Sequence, residues 1–353
     1  MDINTLIRKE VLEQQGYRAD VTSCRIKMDA MENPFTLPSP LKRELAEEMQ
    51  KVPMNRYPEP GAPLIRKRFA KHFGVEADMI MIGNGSDELI QVMCTALANS
   101  SATIMVPWPT FVMYRIIAVN TGHSVIEVPL DAEFDLNLDA MLEQILTPSP
   151  VLIFISYPNN PTGNCFSTEK IKNIVEQAKG VVVIDEAYSS FSGKTLLPLL
   201  KKYDNLVILK TLSKVGLAAM RIGFLIGSSS LVHEFDKVRL PYNINALSQV
   251  AAGFYLNHID TFLSQTTEVI IRREELLKAL RKIEGIHPYP SDANFIFFSC
   301  DFDTDKVYRS LIQEGILIKN LNGPGILKNC MRVTVGKREE NEEFLKALRK
   351  ILI

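Results

Sequence analysis

The sequence predicts an α/β protein: a mainly parallel central sheet in a large domain, joined to a smaller α+β domain. Three observations carry this. Between residues 79 and 213, short apolar runs alternate with helical periodicities, as in βαβ units with right-handed crossovers. Two of the runs, 150–157 and 181–184, are almost continuously apolar, which suits strands covered on both faces. After residue 245 the alternation gives way to a long helical stretch and then to scattered short elements. A chain of 353 residues accommodates two domains. The expected division is an arm at 1–30, a large domain at 52–245, and a small domain built from 31–51 together with 246–353.

Each element follows from local pattern. Residues 1–30 are weakly periodic and read as an arm that needs another surface to fold on. Pro40 opens a helix with Leu41, Leu45 and Met49 on one face. Residues 54–61 form a proline-rich loop, and a helix with Leu64, Ile65 and Phe69 follows. Strand 79–83 leads through the turn Asn84-Gly-Ser-Asp87 into a helix from Glu88. Strands are expected at 102–108, 124–130 and 150–157, with a helix at 136–146. The dense turn Pro158-Asn-Asn-Pro-Thr-Gly163 precedes a helix that stops at Gly180. Strand 181–184 exits into Asp185-Glu-Ala-Tyr188, and strand 206–209 exits toward Ser213 and Lys214. Arg221 opens another apolar run. The later part reads as helix at 246–284 with breaks, strand at 293–299, helix at 306–314, strands at 316–319 and 331–335, and an amphipathic helix from 339.

Composition excludes several classes. Net charge is −1, with 46% hydrophobic and 23% charged residues, so nothing attracts nucleic acid or an anionic membrane. No run approaches the ~20 apolar residues of a membrane span. The charged, polar N-terminus lacks the apolar core of a secretory signal. Five scattered cysteines without CxxC read as free thiols in a reducing cytoplasm. Five scattered histidines offer no metal-ligand spacing, and no metal is expected.

The strand ends carry the chemistry. Ligands in open α/β sheets bind outside the carboxyl ends of strands. Those ends offer Asn160, Asp185 with Tyr188, and Ser213 with Lys214. Together they match what pyridoxal 5'-phosphate requires. Lys214 is the amine for the aldehyde. Asp185 pairs with the ring nitrogen. Tyr188 and Asn160 hold the ring hydroxyl, and Phe111 stacks on the ring. Backbone N–H groups of Ser86 and Asp87, with Ser213 and Arg221, suit the phosphate. Taken singly, each residue has a plainer role: Asp185 as a helix cap, Tyr188 and Phe111 as core, Arg221 as a surface ion pair, Lys214 as a solvated loop lysine. The set is what argues for the cofactor.

The same residues sit in a longer series of motifs. These include Asn33-Pro34, Tyr57-Pro-Glu59, Gly83-Asn-Gly-Ser-Asp-Glu88, Pro109-Thr-Phe-Val-Met-Tyr114, Asn159-Asn-Pro-Thr-Gly163 and Asp185-Glu-Ala-Tyr188. Thr211-Leu-Ser-Lys214, Arg221-Ile-Gly223, Ser291-Asp-Ala-Asn-Phe295 and Arg332-Val-Thr-Val-Gly336 follow. In this order, over nearly the whole chain, they resemble the fold type I, pyridoxal-phosphate-dependent aminotransferases of the class I/II superfamily. More narrowly they resemble its histidinol-phosphate aminotransferases. The resemblance implies exchange of an amino group between L-histidinol phosphate and 2-oxoglutarate, giving imidazole acetol phosphate and glutamate, in histidine biosynthesis. It implies Lys214 as proton shuttle and Arg332 as the anchor for the substrate's anion, with Asn160 and Tyr17 also at the substrate. It further implies a cytoplasmic homodimer in which Tyr57 reaches the cofactor phosphate of the partner subunit. Lys319 stands where such enzymes usually carry a second arginine, so the charge is kept and the planar fork is not. Met31-Glu32 replaces the usual Asn-Glu, and the Lys214–Arg221 spacing is a residue or two tighter than in many relatives.

The nearest alternatives keep the cofactor and change the reaction: an aromatic amino acid aminotransferase, or a phosphothreonine decarboxylase-like enzyme. A nucleotide-binding protein using the Gly83-Asn-Gly85 turn lacks the third glycine of GxGxxG and leaves Lys214, Asp185 and Tyr188 without roles. A binding protein that has lost catalysis would usually lack Lys214.

Overall fold

In the computed structural model, which describes residues 3–14, 16, 20–97, 102–147 and 149–352, the apolar runs of the middle of the chain form one seven-stranded sheet. Its strands are β1 (Ile80–Asn84), β2 (Thr103–Trp108), β3 (Ser124–Pro129), β4 (Leu152–Ser156), β5 (Val181–Asp185), β6 (Leu206–Thr211) and β7 (Ile222–Gly227). They lie in the order β1-β7-β6-β5-β4-β2-β3. From β6 to β3 every neighbouring pair is parallel. β7 runs antiparallel to both β6 and β1. The reason is length: the connection from Thr211 to Ile222 is too short for the helical crossover a parallel partner needs.

The sheet is buried on both faces. Along β5, Val182 and Ile184 join one apolar core, while Val181 and Val183 join the other. The helices Ser86–Ala96 and Met113–Asn120 cover the second face through Leu89, Met93, Tyr114 and Ala118. The helix Thr168–Gln177 covers the first through Ile171, Ile174 and Val175.

The C-terminal part adds a four-stranded antiparallel sheet of β8 (Ile286–Pro288), β9 (Phe295–Cys300), β10 (Lys319–Asn320) and β11 (Cys330–Thr334), ordered β10-β11-β9-β8. The helices Thr304–Gln313 and Arg338–Ile351 pack on it through Val307, Leu311, Phe344 and Leu348. The strand expected at 316–319 is two short strands with different partners: Ile316–Leu317 pairs in parallel with Ile26–Lys27, and the chain then turns into β10. The helical stretch after 245 divides at His258 into Ala246–Asn257 and Ile259–Leu280. Ala252, Tyr255 and Phe262 from these helices share the core of the large sheet with Phe69 and Phe224. The helix Ser39–Gln50 packs Leu45 against Ala251 and Phe254.

The arm does rest on another surface. Arg8 donates to the carbonyl of Asn120, and Gln14 Nε2 donates to Asn120 Oδ1 at 3.1 Å. Its apolar residues Leu6, Val11 and Leu12 nevertheless stay exposed. Among the described residues no helix is long and apolar enough to cross a membrane.

Candidate active site

The carboxyl ends of β1, β4, β5 and β6 meet at one cavity. Asp185 is the last residue of β5, Ser156 of β4 and Thr211 of β6. Phe111 follows β2, and Ser86 opens the helix after β1. Of the residues assigned to the cofactor, Asp185, Tyr188, Phe111 and Lys214 line one part of this cavity; Ser86, Asp87, Ser213 and Arg221 line the other. About 470 Å³ of atom-free space lies here, part of it continuous with solvent.

The first part is dry. Asp185 is 3% exposed. Its Oδ1 accepts from the backbone N–H of Ala187 at 3.0 Å and its Oδ2 from the Tyr114 hydroxyl at 2.7 Å. Burial outweighs these donors and raises its pKa to about 6. Burial, reinforced by the positive charge of Arg332, lowers the Lys214 amine to about 8. Its Nζ lies 5.6 Å from the centre of the Tyr188 ring. Such an amine is neutral for part of the time near neutral pH and so can act as nucleophile and base. Behind the site, the wholly buried Glu186 carboxylate accepts from Lys210 at 2.6 Å, from Thr195 at 2.7 Å and from the backbone of Leu196 at 2.5 Å. These bonds pin the turn that carries Asp185 and Tyr188.

The second part is an anion cup. The helix Ser86–Ala96 has no side-chain cap, and its first residues, Ser86 and Asp87, line the cavity; the first N–H groups of a helix have no partner within it and carry the positive end of its dipole. Arg221 sits in the left-handed region at φ 52° and turns its guanidinium back toward Ser213 Oγ (3.4 Å) and Asp87 Oδ2 (3.3 Å). The tight Lys214–Arg221 spacing therefore still delivers the arginine. Two glycines make room. A Cβ at Gly85 would lie 2.5 Å from Arg221 Nη2, and one at Gly223 would lie 2.6 Å from the Ser86 nitrogen. Thr211 Oγ1 accepts from the Ser213 N–H at 3.0 Å and fixes the turn before Lys214. An amine and a carboxylate in a dry pocket beside a cup of anion donors fit pyridoxal phosphate.

Asn160 falls elsewhere. It lines an adjoining cavity with about 1050 Å³ of atom-free space, part of it open to solvent, and accepts from Arg332 Nη1 through Oδ1. Arg332, 6% exposed, also donates to the carbonyl of Asp29 at 2.8 Å and lies 5.3 Å from the Phe295 ring centre. Lys319 pairs with Arg332 across β10 and β11, and both line this cavity. Trp108, Leu321 and Leu327 form an apolar wall, and Phe111 borders both cavities. Tyr57 lines neither: it is 82% exposed and stacks on Tyr242 at 4.6 Å. Tyr17 lies outside the described residues. Sequence reasoning missed Tyr114, Glu186 and Thr211 as supports of the site. Tyr114 stood within the Pro109–Tyr114 motif, but nothing in the pattern told which face of its helix meets Asp185.

The comparisons with known proteins agree with this geometry. Residues 26–348 match the model of the family described as aminotransferase class I and II. The histidinol-phosphate aminotransferase 2 of Nitrosococcus oceani is 45% identical over 346 residues, covering 97% of this chain and 96% of that protein. Among solved structures, the histidinol-phosphate aminotransferase of Sinorhizobium meliloti in complex with pyridoxal-5'-phosphate superposes with a TM-score of 0.86 at 21% identity, covering 94% of this chain and 91% of that one. The L-threonine-O-3-phosphate decarboxylase of Porphyromonas gingivalis superposes with a TM-score of 0.80 at 21% identity, over 93% and 99% of the two chains. The fold is thus common to enzymes of different reaction. It is the sequence match over nearly the full length that fixes the kinship: the chain belongs to the class I and II aminotransferase family.

Proposed function

We propose that the enzyme transfers the amino group of L-histidinol phosphate to 2-oxoglutarate, using pyridoxal 5'-phosphate, in histidine biosynthesis. The observation that carries the reading is the pair of cations, Arg332 and Lys319, lining a cavity next to Lys214. The relative that is 45% identical bears the same activity in its name. Both substrates bring an anion, phosphate in one and carboxylate in the other. A guanidinium pairs bidentately with either, so one anchor can serve both half-reactions. The apolar wall of Trp108, Leu321 and Leu327 suits the flat ring of the amine substrate.

Bound pyridoxal phosphate supplies an aldehyde that condenses with amines and a ring that accepts electrons. The protein's own residues do the rest. Asp185 holds a proton at the ring nitrogen. Lys214 takes the proton from the substrate's Cα. Arg221, Ser213 and the first N–H groups of the helix Ser86–Ala96 would hold the phosphate, Phe111 would stack on the ring, and Tyr188 would hold its hydroxyl. Arg332 sets the substrate's distance from Lys214, and the dry walls keep water from the reacting carbon. Asn160 is assigned to the substrate side and to the ring hydroxyl, and Tyr17 to the substrate.

The same reading makes the enzyme a cytoplasmic homodimer. Support comes from Tyr57, stacked on Tyr242 yet exposed, from the further exposed apolar side chains Met54, Leu64 and Leu240, and from five free thiols.

The test is spectroscopic. L-Histidinol phosphate should abolish the visible band of the holoenzyme, and 2-oxoglutarate should restore it. A band that ignores histidinol phosphate but responds to phenylalanine or tyrosine would move the substrate to aromatic amino acids. Release of carbon dioxide from threonine phosphate would move the reaction to decarboxylation.

A further inference from the structure

Tyr114 has no role in the chemistry described so far, yet it is among the most enclosed polar side chains of the protein. It is 0% exposed, on the helix Met113–Asn120, which covers the sheet face behind the site. Three contacts define its place. Its hydroxyl donates to Asp185 Oδ2 at 2.7 Å. Its ring stacks on Phe154 with centres 4.8 Å apart and planes 4° from parallel. It meets the Phe111 ring in a T-shaped contact at 5.4 Å and 86°. The Ser156 side chain also interacts with the hydroxyl.

A phenol is an expensive group to enclose unless its hydrogen bond matters. A phenylalanine would keep the stack on Phe154 and the T-shaped contact with Phe111. What only tyrosine adds is the donor to Asp185. That carboxylate receives one donor per oxygen: the Ala187 N–H on Oδ1 and the Tyr114 hydroxyl on Oδ2. Two donors from different elements fix its rotation and leave its remaining lone pairs to the cavity.

We propose that Tyr114 is a positioning residue for the coenzyme: its hydroxyl orients and sustains the Asp185 carboxylate while its ring braces Phe111 at a right angle. One side chain thereby sets both the polar and the stacking contacts of the coenzyme ring. This rests on the assignment of Asp185 to the ring nitrogen.

The charges around Asp185 give the sign of the effect. Burial raises its pKa, and the Tyr114 hydroxyl, the Ala187 N–H and the positive Lys214 lower it. Asp87, on the helix Ser86–Ala96, raises it. Loss of the Tyr114 donor removes a lowering contribution, so Asp185 takes up its proton at a higher pH. A protonated Asp185 no longer pairs with a protonated ring nitrogen. Coenzyme affinity should then begin to fall at a higher pH than in the native protein.

The experiment is the pH dependence of pyridoxal phosphate affinity for the full-length protein, its Y114F variant and its D185N variant. The sole tryptophan, Trp108, borders the neighbouring cavity and reports binding by quenching. In Y114F the acid limb should move up by about one pH unit, with affinity near pH 6 roughly tenfold lower and little change at alkaline pH. A uniform loss at every pH, or curves that coincide with the native protein, would overturn the role of Tyr114. D185N separates the two levels: it should bind weakly without an acid limb, and native affinity in D185N would overturn the Asp185 assignment itself. Thermal melting of each variant without coenzyme monitors folding. Should Y114F not fold, Y114H, which retains a ring N–H donor, carries the test, and restoration of the native acid limb is the expected result.

Discussion

The two cavities are built in opposite ways. The one around Lys214 is assembled by a single sheet. Asp185, Ser156 and Thr211 are the terminal residues of neighbouring strands, and topology alone brings them side by side. The one around Arg332 is assembled across sheets. Arg332 and Lys319 come from the C-terminal sheet, Trp108 from the end of β2 in the large sheet and Met31 from the N-terminal segment. Arg332 binds Asn160 across 172 residues of sequence and Asp29 across 303. A site at strand ends is as rigid as its sheet. A site made between sheets follows how those sheets pack, so substrate choice can change while the coenzyme site stays fixed.

The largest effects should fall on the first cavity. Lys214→Ala should lower turnover by at least about 10⁴-fold, because it removes the nucleophile and the proton carrier together. Arg332→Met should cost about 10²–10³-fold in kcat/KM for histidinol phosphate, the usual scale for deleting a buried partner of a charge. Coenzyme affinity measured on the same Arg332→Met protein should stay within a factor of about three. A collapse of both together would mean that the cavities are one unit.

Without coenzyme, the first cavity should also show its cost as a stability term. Lys214 has a folded pKa depressed to about 8 from the ordinary lysine value of 10.5. A depressed pKa in a base means stability that is present at high pH and lost as pH falls through the folded value. Lys214→Met should therefore stabilise the coenzyme-free protein by about 3 kcal/mol at pH 7, with the gain falling away between the folded and unfolded values and gone above about pH 11. Asp185 has the opposite sign. Its pKa is raised from the ordinary aspartate value of 3.8 to about 6 by burial, so its cost appears as pH rises through that range. Asp185→Asn should stabilise the coenzyme-free protein at pH 7 and leave it unchanged near pH 3. Urea denaturation across pH measures both, and a flat difference between native protein and either variant would mean the pocket is wetter than its burial implies.

This contrast explains what the sequence could reveal. Asp185 was legible because four β-branched residues precede it, and a strand end is a local event. Lys214 and Ser213 were legible for the same reason. Arg221 was legible as a residue type at a spacing, but its left-handed backbone, which aims it at the cup, was not. Tyr114 stayed hidden because its contact with Asp185 depends on helix rotation, which local pattern does not encode, and Glu186 because its partners Thr195, Leu196 and Lys210 come from other elements. The position of Asn160 in the turn after β4 predicts a place at both the ring hydroxyl and the substrate. Its side chain is engaged by Arg332, a partner no local pattern could name. The split of 316–319 into two strands was equally hidden, since the partner of Ile316–Leu317 is Ile26–Lys27, far away in sequence.

Lys319 offers the smallest and most discriminating test of the second cavity. It faces Arg332 across the strand pair, and its ammonium is a point charge where a second guanidinium would be a fork. A point charge gives no geometric preference for a planar carboxylate; it responds to total charge. Phosphate carries close to twice the charge of a carboxylate near neutral pH. Removing one of two cations should then weaken the phosphate substrate more than 2-oxoglutarate. For Lys319→Met the expectation is about a tenfold rise in KM for histidinol phosphate and about a threefold rise for 2-oxoglutarate, with the difference shrinking as salt is added. Equal rises would mean that Lys319 shapes the cavity wall and leaves the anion to Arg332. A salt-independent difference would mean direct hydrogen bonding, and Lys319→Arg should then tighten both substrates.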